Sequence, residues 1–464
     1  MEYVSTRGSA PSRDFTGVLL AGLAEDGGLF VPATWPHFSP DALRAMRAMP
    51  YARLAATVLG AFIGPAIAPD TLLAMCEDAY GGFAHPAVCP LVQLDHGLWV
   101  HELFHGPTLA FKDMAMQLLG RLFDHVLGQT GQRITIVAAT SGDTGSAAIE
   151  ACRDRANIDL VVLHPRGRTS EVQRRQMTTV LADNITNIAV EGSFDDCQDL
   201  VKAMFADTAF RDEMALSAVN SINWARVAAQ IPYYIAAGLA LGAPDREVAF
   251  AVPTGNFGNV LAGWAAAKMG LPVARLVVAS NRNDILARFL ADNDMSVRPV
   301  EPSLSPSMDI QVSSNFERLL FELLGRDGPA TAATMRGFRD TGRMAVPAPA
   351  WDAARAAFIG ARLDDAGTLA EMARWHRAAG YLADPHSAVA LAAARANMIP
   401  GIPMVALATA APAKFPDAVR AATGLTPPLP ARLADLYERD ERMACAPADL
   451  ASIQALVRAA ARRN

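Results

Sequence analysis

Only four of the 41 basic residues in this 464-residue chain are lysines, Lys112, Lys202, Lys268 and Lys414, so arginine supplies almost all the generic positive charge. A lysine amine shielded from water can lose its proton near neutral pH and attack a carbonyl to form a Schiff base, which a guanidinium cannot do. Lys202 falls in a polar-faced segment of helical period, Asp195 to Asp207, and Lys268 ends a predicted helix just before Gly270, where a cation suits the helix dipole. Lys112 and Lys414 lie instead in apolar, loop-like strings, Leu109-Ala110-Phe111-Lys112-Asp113 and Ala411-Pro412-Ala413-Lys414-Phe415. These two are the candidates for Schiff-base chemistry.

Two turns offer small residues and free backbone N–H groups at a helix start, a natural place for an anion. They are Ala139-Thr140-Ser141-Gly142-Asp143-Thr144-Gly145-Ser146 and Pro253-Thr254-Gly255-Asn256-Phe257-Gly258-Asn259. Each alone is often only a turn, whereas a pair suits a cofactor and a substrate that both carry anionic groups. Asn220-Ser221-Ile222-Asn223-Trp224-Ala225-Arg226 gathers amides, a hydroxyl and a guanidinium suited to phosphate or carboxylate, though by residue type alone an ordinary polar N-cap with a solvated arginine is the preferred reading. Arg282 is ambiguous in the same way, and Asp309 and His386 could each be catalytic, though a satisfied cap or core group is the commoner role for such residues. His101-Glu102-Leu103-Phe104-His105 matches the zinc-protease spacing H-E-x-x-H. Strand-like Leu98-Trp99-Val100 before it and Gly106-Pro107 after it argue against the continuous helix that zinc binding needs.

The elements that must position these residues read as an α/β protein. Apolar runs of strand length, Ile134 to Ala139, Leu160 to Leu163, Ile185 to Val190, Val248 to Val252, Val273 to Ala279 and Met404 to Ala408, alternate with helical stretches. Such alternation predicts parallel sheets with crossover helices. The first 95 residues read as a mainly helical module, Met295 to Pro306 as a long loop, and Pro447 to Arg463 as a final helix. A net charge of −6 gives no reason to approach nucleic acid or anionic lipid. Five scattered cysteines indicate neither a disulfide framework nor a zinc knuckle, and no segment has the pattern of a signal peptide or membrane span. A cytoplasmic enzyme acting on a small molecule is expected, with no nucleic-acid or membrane partner.

Taken together, Phe104 to Asp113, Thr140 to Gly145, Asn220 to Arg226, Thr254 to Asn259 and Ser307-Met308-Asp309-Ile310-Gln311-Val312-Ser313-Ser314-Asn315-Phe316-Glu317-Arg318 resemble the threonine synthase family. Tyr3 to Gly8 and Asp26 to Pro32 are similar to the start of its longer bacterial and fungal members. The resemblance implies a fold-type II pyridoxal-phosphate enzyme, like the tryptophan synthase β chain in fold. It further implies conversion of O-phospho-L-homoserine and water to L-threonine and phosphate by a monomer or homodimer. Lys112 would form the Schiff base, Gly255, Asn256, Phe257, Gly258 and Asn259 would hold the cofactor phosphate, Asp143 would meet the ring hydroxyl, and Thr409 the pyridine nitrogen. Thr140, Ser141 and Thr144 resemble the substrate-carboxylate turn, and Asn220, Ser221 and Arg226 the substrate-phosphate contacts. The implied domains are residues 1–95, a cofactor domain of 96–128 with 230–430, a small domain of 129–229, and a tail, 431–464. One departure stands out: Ala411 occupies the place where the family commonly has histidine before Pro-Ala-Lys-Phe. Rival readings are another fold-type II lyase, such as a serine or threonine dehydratase, or a catalytically silent relative that binds a metabolite.

Overall fold

The computed structural model describes residues 1–140, 142–217 and 221–462. The chain forms two compact units, one of Met1–Gly106 with Ser221–Pro427, the other of Pro107–Asn220 with Pro428–Asn464.

In the larger unit a six-stranded sheet runs in the order Phe358–Arg362, Val273–Ser280, Val248–Pro253, Met404–Ala408, Leu98–Glu102 and Leu91–Asp95. All neighbours are parallel except the last pair. Val248–Pro253 is buried along its whole length, as expected of a central parallel strand covered on both faces. The register sets Met404 beside Ala249 and Ala406 beside Ala251. Thr254 and Thr409, each just past its strand, therefore emerge at the same carboxyl edge, where ligands bind in open α/β sheets. The Pro385–Ala396 helix covers one face, packing Leu391 and Ala394 against Val100, Ala251 and Val277.

The first 95 residues belong to this unit. Tyr3 Oη donates to the Phe62 carbonyl at 2.8 Å, Thr6 Oγ1 to Glu317 Oε1 at 2.7 Å, and Arg7 pairs with Glu317 at 3.0 Å. The predicted helices are present as Pro40–Met46, Tyr51–Ile63 and Pro69–Gly81.

The smaller unit holds a five-stranded, wholly parallel sheet in the order Ala444–Pro447, Ile185–Glu191, Ile158–Pro165, Ile134–Ala139 and Leu216–Ser217. Val137, Val161, Leu163 and Ile188 build its core with Met204, Ile453 and Val457. Besides residues 1–95 and 221–229, which were expected apart from the larger unit and cluster with it, two groupings in this unit differ from the sequence-based boundaries. The Lys112–Thr130 helix was expected with 230–430, but it clusters with this unit. It lies so close to the Asp143–Cys152 helix that a Cβ at Gly120 would come 2.2 Å from the Ala151 carbonyl oxygen. The C-terminal segment is no separate tail, because Ala444–Pro447 adds an edge strand and the Leu450–Ala460 helix covers the core. Among the described residues no helix is long and apolar enough to cross a membrane.

Candidate active site

In the smaller unit, Lys112 is the first residue of the Lys112–Thr130 helix, and the loop that delivers it is tightly specified. Leu109 takes φ +63°, a conformation that costs a branched residue energy and persists only where its surroundings impose it. Asp113, fully buried, provides that constraint: its Oδ2 accepts from Thr108 N at 2.8 Å and its Oδ1 from Thr108 Oγ1 at 2.8 Å. The Lys112 side chain is 12% exposed, and Nζ lies 3.5 Å from Asp143 Oδ2. The other Asp143 oxygen accepts from Gln173 Nε2 at 2.9 Å. Gln173 is itself fixed by a capping box with Ser170 at the start of the Glu171–Thr178 helix.

The turn before Asp143 is held from within. Thr140 Oγ1 accepts from the amides of Gly142 and Gly145, both at 2.9 Å. Those two N–H groups are thus spoken for, and the Thr140 hydroxyl keeps only its proton for a ligand. Thr144 is half-buried on the first turn of the Asp143–Cys152 helix. Ser141 and Asn220 lie outside the described residues.

In the larger unit, the turn from Gly255 to Asn259 leads into the Gly258–Lys268 helix, whose N-terminus carries no side-chain cap. A Cβ at Gly255 would sit 2.7 Å from the Ser307 carbonyl oxygen, so only glycine allows this approach. Ser313 Oγ donates to Gly255 O at 2.7 Å, and Asn315 N to Asn256 O at 3.1 Å. Phe257 takes φ +64° with its ring buried against Phe316 and Phe358. Asn259 Oδ1 accepts from Tyr233 and Tyr234 hydroxyls at 2.7 Å each, while its buried Nδ2 makes no hydrogen bond. Ser221 Cβ is 4.0 Å from where a Gly258 Cβ would be. Arg226 is buried on the Trp224–Ala228 helix, and desolvation lowers its pKa to about 10, leaving it a cation at neutral pH.

Several residues act through others. Asp384, fully buried, accepts at Oδ1 from His386 N (2.9 Å) and Nδ1 (2.8 Å), and at Oδ2 from Ser387 N (3.2 Å) and Ser387 Oγ. His386 Nε2 accepts from Ser307 N at 3.2 Å. A backbone N–H can only donate, so the imidazole proton resides on Nδ1. Ser387 Oγ in turn accepts from Thr409 N at 3.2 Å. One carboxylate thereby sets both the Ser307 segment beneath Gly255 and the backbone of Thr409. Arg318, also buried, donates to Phe30 O at 2.9 Å, to Ile222 O at 2.5 Å and to Asn315 Oδ1, tying the 221–222 and 313–315 segments together.

His386 is therefore a structural group, and so are three others the sequence left open. Asp309 anchors its loop by accepting from Asn281 Nδ2 at 2.8 Å, Asn283 Nδ2 at 3.0 Å and Ser303 Oγ at 2.6 Å. Arg282 pairs with Asp365 at 2.8 Å. Asn223 caps its helix and donates to Leu19 O at 2.9 Å. Lys414 is fully buried on the short Pro412–Lys414 turn, and Ala411 before it is buried without a polar side chain. His101 and Glu102 stand in the Leu98–Glu102 strand, not on a helix, and Glu102 Oε2 is 2.8 Å from His105 Nε2. Sequence reasoning passed over Asp113, Gln173, Asp384, Ser387 and Arg318 as site-builders. The signals available were the adjacency of Asp113 to Lys112 and the Asp-Pro start of the Pro385–Ala396 helix.

Residues 2–80 match the family described as threonine synthase N terminus, residues 88–345 the pyridoxal-phosphate dependent enzyme family, and residues 387–457 the threonine synthase C-terminal family. A curated threonine synthase of Pseudomonas aeruginosa is 55% identical, the alignment covering 98% of each chain. The crystal structure of pyridoxal-phosphate-bound threonine synthase from Brucella melitensis superposes with a TM-score of 0.98 at 51% identity, covering 100% of both chains. Threonine synthase from yeast superposes with a TM-score of 0.92 at 36% identity, covering 99% of this chain and 97% of that one.

Proposed function

We infer that this chain, which belongs to the threonine synthase family, converts O-phospho-L-homoserine and water to L-threonine and phosphate with pyridoxal 5'-phosphate as cofactor. The observation that carries the residue assignment is Lys112. It is a scarce lysine, delivered by a strained loop that a buried carboxylate holds in place, with its amine 3.5 Å from Asp143. We expect a cytoplasmic monomer or homodimer.

The residues present suit the cofactor. The uncapped start of the Gly258–Lys268 helix, the side-chain-free approach at Gly255 and the unpaired Asn259 Nδ2 make a cradle for a phosphate. Pyridoxal phosphate, when bound, supplies the electron sink that stabilises negative charge on substrate carbon. Lys112 would hold it covalently at rest and, once released, would move protons from the α-carbon and then the β-carbon. Asp143 would accept from the ring hydroxyl, kept in place by Gln173. Thr409 would put a neutral hydroxyl, not a carboxylate, at the pyridine nitrogen, so that nitrogen need not carry a proton. Thr140 and Thr144 would donate to the substrate carboxylate. Ser221 and Arg226 would take the substrate phosphate. The burial of Arg226 strengthens its attraction for the charge that grows as the γ-phosphate leaves.

The test is phosphate release from O-phospho-L-homoserine set against ammonia release from L-threonine. Phosphate release that is abolished in both Lys112→Ala and Lys112→Arg, with the visible absorbance band of the loaded enzyme lost as well, is expected. Turnover retained in Lys112→Arg would remove Lys112 from the chemistry, and ammonia release as the dominant activity would favour a dehydratase.

A further inference from the structure

The H-E-x-x-H string has no part in the chemistry above, yet its first histidine stands in an unusual place. His101 is 1% exposed on the Leu98–Glu102 strand, and neither ring nitrogen makes a well-aligned hydrogen bond, the main-chain groups of Tyr233 and Pro90 offering only poorly directed contacts. Tyr51, 8% exposed, has a hydroxyl in the same condition. Buried polar groups in folded proteins are nearly always paired, with protein or with something bound, so two such residues in one place call for a cause.

Both residues line one cavity of about 330 Å³ inside the larger unit. Its wall is otherwise apolar, with Met46, Leu54, Ala237 and Leu239 among its members. Arg47 is the charged residue of the lining, and its guanidinium is already engaged with Asp245 at 2.7 Å and with the carbonyls of Gly242 and Ala243. A charged guest would find no counter-ion there. Burial also keeps the His101 ring neutral, pushing its pKa down to about 4 against smaller support from the main chain of Tyr233 and Pro90. A neutral imidazole presents one N–H donor and one lone pair. The volume is about twice that of an engineered cavity known to take up benzene.

We propose that this cavity is a binding site for a small uncharged molecule with an apolar, ring-sized body and one hydroxyl group, which His101 and Tyr51 would recognise by hydrogen bonds. The body would pack on the Met46, Leu54 and Leu239 wall, and the hydroxyl would satisfy groups that the protein leaves without a well-aligned partner. None of the residues that line it is assigned to the cofactor or the substrate.

p-Cresol is a suitable probe. The imidazole resonances of the nine histidines are followed by NMR in histidine-labelled holoenzyme, with His101 assigned by its loss in His101→Phe. Titration is expected to move the His101 signal saturably. Toluene, which lacks the hydroxyl, should bind about tenfold more weakly, the factor expected when buried polar groups go unsatisfied. Hexanoate should not bind. Ala236→Phe, which fills the cavity from its rim, should abolish the p-cresol response while phosphate release stays at the wild-type rate. No saturable shift with p-cresol would overturn the proposal. So would equal binding of toluene, binding of hexanoate, or a response that survives in Ala236→Phe. The comparison of p-cresol with toluene needs only the wild-type protein, so it decides the matter even if Ala236→Phe does not fold.

Discussion

Asp384→Asn tests whether one buried carboxylate organises the larger unit's share of the site. The substitution keeps the shape and replaces one oxygen by an NH2 group, which must then face donors. Turned toward His386, the new amide would meet the backbone N–H of His386 and the imidazole Nδ1–H. Switching the imidazole tautomer would only move the conflict, since Nε2–H would then face Ser307 N–H. Turned toward Ser387, it would strand the Ser387 amide, though the Ser387 hydroxyl can rotate. Either way one backbone N–H loses a charged acceptor inside the core, which costs about 1.5–3 kcal/mol. The milder arrangement, with the NH2 toward Ser387, releases the hydroxyl that accepts from Thr409 N, whereas the other would loosen the support of Ser307. If roughly half of that cost falls on the geometry that receives the cofactor, pyridoxal phosphate affinity drops about three- to tenfold. The assays are a cofactor titration of apoenzyme by visible absorbance and a thermal melt of the same samples. Reduced affinity and melting temperature are expected, with kcat near normal once cofactor saturates. A proton-transfer role for Asp384 would give the opposite pattern, lost kcat with intact affinity, and that result refutes the reasoning.

Asp113→Ala removes both acceptors of the Thr108 clasp and should cost about 3 kcal/mol for two hydrogen bonds to a buried carboxylate. Its specific sign should be slower return of the visible band when apoenzyme is given cofactor, by about tenfold; an unchanged rate would mean that the clasp does not position Lys112. His101 predicts a pH dependence of stability. Its folded-state pKa, about 4, lies below the ordinary 6.5, so between these values the unfolded chain binds the extra proton. Stability is complete above pH 6.5 and is lost on acidification toward pH 4, by about 3 kcal/mol for that shift. Urea midpoints at pH 7 and pH 4.5 should show this loss in the wild type and a smaller one in His101→Phe; equal pH slopes would contradict it.

How far the sequence carries depends on whether a signal is local. Strand positions were legible because apolar runs of strand length report burial on both faces, and all six predicted runs are strands. The Leu160 to Leu163 run is extended to Ile158–Pro165 because Asp159, which looks like a boundary, is buried and paired with Arg133 and Arg462. Charge in the sequence marks solvent only when no partner arrives from elsewhere, and Arg462 arrives from the far end of the chain. The edge strand Ala444–Pro447 was missed for the complementary reason: Ala-Cys-Ala-Pro has little intrinsic preference for a strand and becomes one by pairing with Ile185–Glu191.

The same distinction separates the two kinds of site residue. Lys112, Asp143 and the 255–259 turn sit within short strings that the family resemblance could mark as candidates without any distant partner being known. Asp384 and Arg318 do not, because each is defined by what it joins: Ser307 and Thr409 through His386 and Ser387 in one case, Phe30, Ile222 and Asn315 in the other. In the sequence Asp384 looks like an ordinary N-cap, and in the structure it is one. The same two oxygens that cap the helix also reach His386 Nδ1 and Ser387 Oγ, so the geometry that starts a helix here also places a loop and a strand end. Such a cap therefore cannot be dismissed as merely structural when the helix it starts begins at the carboxyl edge of the sheet. Its loss would be felt first in cofactor affinity, the property on which Asp384→Asn and Lys112→Ala should part most clearly from a substitution such as Ala236→Phe in the wall of the His101 cavity.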